Sequence, residues 1–158
     1  MKTKLVIFIN YIQKLTDMLE SIVRLNLDKK NLLLSDYKIN SLLEIVAREE
    51  NFSRQLSLIQ NDINIFIESN FSDYKLTQKN LTQILNCISE FKEEHDVLSQ
   101  LKNRIDDFLN QYGELKKINT MLLQTESGYY NHILKNIEKE TSLKKNTKQR
   151  VNLCNTLA

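Results

Sequence analysis

Proline and tryptophan are absent from the 158 residues, and glycine occurs twice. Hairpin turns, sandwich loops and phosphate-cradling loops draw on glycine and proline. Their near absence excludes an all-β fold and a loop-rich α/β enzyme, and leaves long helices joined by short polar turns. Cysteine is as scarce. Cys87 lies within a helical pattern and Cys154 near the end, an arrangement that gives no disulfide framework and fits a reducing compartment. Only two histidines are present, His95 and His132. Neither lies by a sharp glycine turn that could present a nucleophile, as a hydrolytic triad requires. His95 and Cys87 can share a helix face, but zinc takes about four ligands, and Glu94 and Asp96 point to other faces. No G-x-x-x-x-G-K-[ST] loop occurs. The carboxylate pairs Glu49-Glu50 and Asp106-Asp107 read as solvated helix faces, since acid–base catalysis needs a pocket. The expectation is therefore no enzyme, no metal and no cofactor.

Charge is balanced, with 22 basic against 20 acidic residues and a net charge of +2. A nucleic-acid binder would carry a dominating basic patch, so none is expected. The start, Met1-Lys2-Thr3-Lys4-Leu5-Val6-Ile7-Phe8-Ile9, has the basic-then-apolar order of a signal sequence. Asn10, Gln13, Lys14 and Asp17 end the apolar run early. A signal needs a longer apolar stretch and a small-residue cleavage site, and a membrane span needs roughly 20 apolar residues. The segment reads as the start of an amphipathic helix, with no membrane insertion and a cytoplasmic location expected.

Hydrophobic residues make up 41% of the chain and charged residues 27%, enough for a core and a solvated surface. The apolar residues recur in alternating steps of three and four, the seam of helices packing side by side. Leu5, Phe8, Ile12, Leu15, Leu19 and Ile22 form the first seam. Asn26 and Lys29 interrupt it before Leu33. Ser35 and Asp36 are N-cap candidates at the turn that follows. A second seam runs through Leu42, Ile45, Phe52, Leu56, Ile59, Ile63 and Phe66, with Glu49 at the missing position. Ser69-Asn70-Phe71-Ser72-Asp73-Tyr74 is the clearest break, and a third helix can start after Thr77. Leu81, Ile84, Ile88, Phe91 and Leu98 then hold one register. Leu98, Leu101, Ile105, Phe108, Tyr112, Leu115, Leu122, Tyr129 and Ile133 hold another. Where they meet, by the polar run at 92–96, the helix from about 76 to 141 is either distorted by a stammer or broken.

These seams predict an all-α fold: an elongated antiparallel up-and-down bundle of three to four long helices with coiled-coil packing. Residues 1–141 form the bundle domain. Residues 142–158, basic and aperiodic, form a tail expected to be disordered in isolation.

Leu115-Lys116-Lys117-Ile118-Asn119-Thr120-Met121-Leu122-Leu123 resembles the signature of the FlgN-type flagellar export chaperones. There the late helix carries a leucine, then Asn-x-x-Leu-Leu, then an amphipathic stretch, here 124–137. The first long helix, the turn at Leu34-Ser35-Asp36 and a second helix opening with Leu42-Leu43-Glu44-Ile45 are also similar, so the resemblance covers roughly residues 5–140. The tail lacks the Tyr- and Gly-containing motif with which many members end.

The resemblance implies binding in the cytoplasm. These chaperones hold the amphipathic termini of hook–filament junction proteins, prevent their premature assembly and deliver them to the flagellar export gate and its ATPase complex. A partner helix in a groove reads anchors at helical spacing. The candidate partner-binding residues are Leu115, Ile118, Asn119, Leu122, Leu123, Tyr129, Tyr130, Ile133 and Ile137. Asn119 can fix register as a polar seam residue does, and the protein is expected to be a monomer or weak dimer. A self-associating structural or tethering coiled coil, or a chaperone of another secretion system, are the alternatives.

Overall fold

The computed structural model describes residues 1–35, 37–71 and 80–156, with side chains as far as residue 139. It is all-α. Among the described residues four helices follow in order: α1 (Lys2–Leu33), α2 (Ile39–Asn70), α3 (Leu81–Cys87) and α4 (Lys92–Thr156). No strand occurs among the described residues. Three helices are long and one is short. Two compact units divide the chain, Met1–Asn119 and Thr120–Ala158. The expectation for 142–158 falls on residues whose side chains lie outside the described set.

Within Met1–Asn119 the helices run up, down and up. Lys29 on α1 meets Glu49 on α2 and Phe8 stacks on Phe66, so α1 and α2 are antiparallel. Lys2 meets Glu93 and Asn26 meets Asn119, so α1 and α4 are parallel. One apolar cluster joins all four helices through Leu5, Phe8, Ile67, Ile84 and Leu98, among others. The apolar start of the chain belongs to it, with Leu5 and Phe8 fully buried.

The first seam is wider than a heptad rule allows. Leu5, Phe8, Ile12 and Leu19 are buried and Leu15 and Ile22 half-buried, but Thr16 and Val23 are buried as well. A helix that packs on two neighbours needs an apolar stripe broader than the a/d seam. Thr16 is accommodated because its hydroxyl donates to the Ile12 carbonyl at 2.8 Å.

The turns differ from their sequence signals. Ser35 closes α1 and does not open α2. Its backbone N–H and its hydroxyl both donate to the Leu32 carbonyl, at 3.0 and 2.8 Å. Lys38 stands at the α2 N-cap without a side-chain hydrogen bond. Asp36 and Thr77 lie outside the described residues. α3 begins under Asn80, whose side chain accepts from the Gln83 N–H at 2.9 Å. The break expected from Ser69 onward starts later: α2 continues to Asn70, and Phe71 is 1% exposed. Its ring packs edge-on against Phe8 at 5.5 Å between centroids, so the aromatic contact holds a residue whose neighbours are turn formers.

Of the two alternatives for the late helix, the chain breaks. α3 ends at Cys87, the Phe91 N–H donates to the Ile88 carbonyl at 2.8 Å, and α4 begins at Lys92. Glu93 and Glu94 occupy its first turn, where carboxylates oppose the positive end of the helix dipole. The polar run is thus the opening turn of a helix.

Gly113 and Gly128 lie inside α4, and a Cβ at either would meet nothing within 4 Å. Gly113→Ala and Gly128→Ala should each stabilise the chain by about 0.5–1 kcal/mol, raising the melting temperature by about 2–4 °C per kcal/mol. Phe8→Ala should instead cost about 3–5 kcal/mol in urea unfolding, because its ring is fully buried among Phe66, Phe71 and Leu5.

Candidate functional site

The candidate residues sit on α4 with graded exposure. Leu115 is half-buried, Ile118 sits at the edge of exposure, and Asn119 is buried. In Thr120–Ala158, Leu122, Leu123 and Ile133 are half-buried. Tyr129, Tyr130 and Ile137 are exposed, at 65%, 61% and 55%. Leu134, 57% exposed, and Met121, 59% exposed, join them. The signal that could have found them is spacing: Leu134 lies four residues after Tyr130 and three before Ile137, and Met121 three after Ile118.

The tyrosines form a unit, with ring centroids 6.1 Å apart and planes at 65°. Edge-to-face pairing favours the approach of ring edge to ring face, so the pair offers a large, stiff, amphipathic contact area. Beside it the Asn136 amide lies 3.1 Å from His132 Nε2, and the Thr125 hydroxyl donates to the Met121 carbonyl at 2.9 Å. Thr125 and the Asn136–His132 pair are thus tied along the helix.

Asn119 is placed furthest from expectation. It is 3% exposed, and its amide donates to the Asn26 carbonyl at 2.9 Å and lies 3.4 Å from Asn26 Oδ1. The contact it makes is with α1 of its own chain. Asn26 donates in turn to the Ile22 carbonyl at 3.0 Å. One turn further on, Lys29 Nζ lies 2.7 Å from Glu49 Oε2, with both side chains largely buried. The two seam interruptions, Lys29 and Glu49, therefore answer each other. The sequence signal for that pairing was their opposite charge.

Among the described residues no three His, Cys, Asp or Glu side chains gather in a metal-holding group. Cys87 is a free, half-buried thiol. His95 Nδ1 lies 3.6 Å from Asp96 Oδ1. A cavity of about 290 Å³ lies in Met1–Asn119 against Phe8, Ile12, Ile63 and Ile84, with Lys102 and Asp106 among its polar lining. No described helix is long and apolar enough to cross a membrane.

At the opening of α4, Lys2 Nζ lies 3.2 Å from Glu93 and 3.4 Å from Glu94. The hydrogen bond to Glu93, then that to Glu94, holds the Lys2 pKa above its ordinary 10.5. A raised lysine pKa stabilises the fold fully below the unfolded value and loses that contribution as pH rises through the folded one. The contribution is small, because Lys2 is exposed and solvent screens it. Lys2→Gln should therefore melt slightly below the wild type up to pH 10.5. The difference should close at higher pH, as followed by circular dichroism.

No family model matches the chain. No solved structure matches it. Over 101 residues, 64% of this chain, it is 24% identical to an uncharacterized protein of Methanocaldococcus jannaschii. The chain covers 39% of that protein's length.

Proposed function

We propose that this protein is a binding module that holds an amphipathic helical segment of a client, in the manner of the FlgN-type flagellar export chaperones. The client class that goes with this reading is the hook–filament junction proteins, held in the cytoplasm and passed to the export gate and its ATPase complex. The module works by burial and release, without catalysis, metal, cofactor, nucleic acid or membrane insertion.

The observation that carries the reading is the run of large apolar side chains on α4, where Tyr129, Tyr130, Leu134 and Ile137 are each more than half exposed. A single exposed apolar residue is ordinary, but several together mark an interaction surface. Leu122, Leu123 and Ile133, half-buried, extend the stripe at the spacing a client helix reads. Tyrosine suits the role, since its ring buries apolar area and its hydroxyl stays hydrogen-bonded at the rim. The resemblance at Leu115–Leu123 supports the choice of client class.

Tyr129→Ala combined with Ile133→Ala tests it. Hook–filament junction proteins should co-purify with the wild-type chain from its native cytoplasm and be lost with the double variant. Helicity and melting temperature should stay near wild type, since Tyr129 projects into solvent. A variant that melts many degrees lower places these residues in the chain's own core and removes the site. Recovery of the bait alone, as a stable higher oligomer by light scattering, favours a self-associating coiled coil.

A further inference from the structure

We infer that the Asn26–Asn119 pair is a register lock, which selects one alignment of α4 along α1 from several that the apolar seam would accept. The two residues are 93 apart in sequence and are joined by hydrogen bonds within the bundle. Both fall at the same heptad position, a, counting from Leu5 in α1 and from Leu98 in α4. In parallel helices a positions face a positions, and a buried asparagine there specifies register at a cost in stability.

The seam needs such a device. Leu5, Phe8, Ile12, Leu15, Leu19 and Ile22 are all apolar, as are Leu98, Leu101, Ile105, Phe108, Tyr112 and Leu115. Sliding α4 by one heptad, about 10 Å at 1.5 Å per residue, would match apolar to apolar again along most of this length. The asparagines break the degeneracy. A slide one way sets Asn26 against Tyr112 and Asn119 against Leu33, and a slide the other way sets Asn119 against Leu19. Each slide buries an amide without its partner, and an unmade buried hydrogen bond is the expensive case.

The geometry fits selection better than strength. Asn26 and Asn119 are 4% and 3% exposed, and Asn119 Oδ1 is buried without a hydrogen bond. A pair tuned for stability would satisfy that oxygen or replace both amides by apolar side chains. Lys29–Glu49, one turn away, is the matching polar contact between α1 and α2. Between α1 and α4 the other polar contacts, Lys2 with Glu93 and Glu94 and Arg104 with Glu20, rest on exposed cations that solvent screens, so the buried polar contact that aligns α4 is the asparagine pair.

Spin labels on Asn31→Cys and Asn103→Cys, with Cys87→Ser and Cys154→Ser, report the alignment, because both label sites are exposed and they lie on different helices. The wild-type pair should give one narrow distance. Asn26→Leu with Asn119→Leu should melt at or above the wild-type temperature while the distance splits into populations about 10 Å apart. Leu19→Asn with Asn26→Leu moves the α1 asparagine one heptad, and should give a single distance about 10 Å longer. Because that chain keeps one asparagine in each helix, it still tests the lock if the leucine pair fails to fold. Distances that stay at the wild-type value in whichever of these variants fold would overturn the inference, whatever their stability.

Discussion

A buried polar contact between helices constrains this structure more than its apolar area does. Apolar seams hold helices together without saying where along each other they belong, because the hydrophobic effect is non-directional. Hydrogen bonds have fixed partners. In Met1–Asn119 the seams are interrupted at Asn26, Lys29, Glu49 and Asn119, and the interruptions pair across helices. α1 is therefore placed against α2 by an ion pair and against α4 by an amide pair. The ends are set by different means: Phe8, Phe66 and Phe71 interlock at one end, where Lys2 also reaches the first turn of α4.

The functional reading rests on a contrast within α4. Up to Asn119 its seam runs from Leu98 and Leu101 in the core through half-buried Ile105, Phe108, Tyr112 and Leu115 to buried Asn119. Between residues 120 and 139 apolar residues still recur at helical spacing, with Leu122, Leu123 and Ile133 half-buried and Tyr129, Tyr130, Leu134 and Ile137 exposed. A helix that keeps its apolar rhythm where the side chains meet solvent is suited to a second, exchangeable neighbour. The carrier role proposed for this chain would also require release of what it binds. An exposed stripe assembled from moderate contacts, without a deep pocket, meets that need better than a closed core would.

Helix class, helix number and most seam positions were legible because heptad spacing depends only on local sequence. The interruptions were legible too, but not their partners. Periodicity says that Lys29 and Glu49 sit on seams without saying which helices adjoin, although their opposite charges pointed to the match. Asn119 was assigned to a partner because its own-chain counterpart, Asn26, lies 93 residues away and looked like a simple flaw in the first seam. Thr16 and Val23 were missed because a single heptad stripe assumes one neighbour. Phe71 was missed because Ser69, Asn70 and Ser72 around it favour turns, and a tertiary aromatic contact outweighed that local preference. The break before Lys92 stayed ambiguous because no glycine or proline marks it.

Amide hydrogen exchange, with and without a purified hook–filament junction protein, tests the account most directly. The predicted result is strong protection of α1, α2 and α4 up to Asn119 in the free chain, unchanged on addition. Protection between 120 and 139 should be weak alone and should rise when the client is present. No change at 120–139, or a change confined to α1 and α2, would contradict the account.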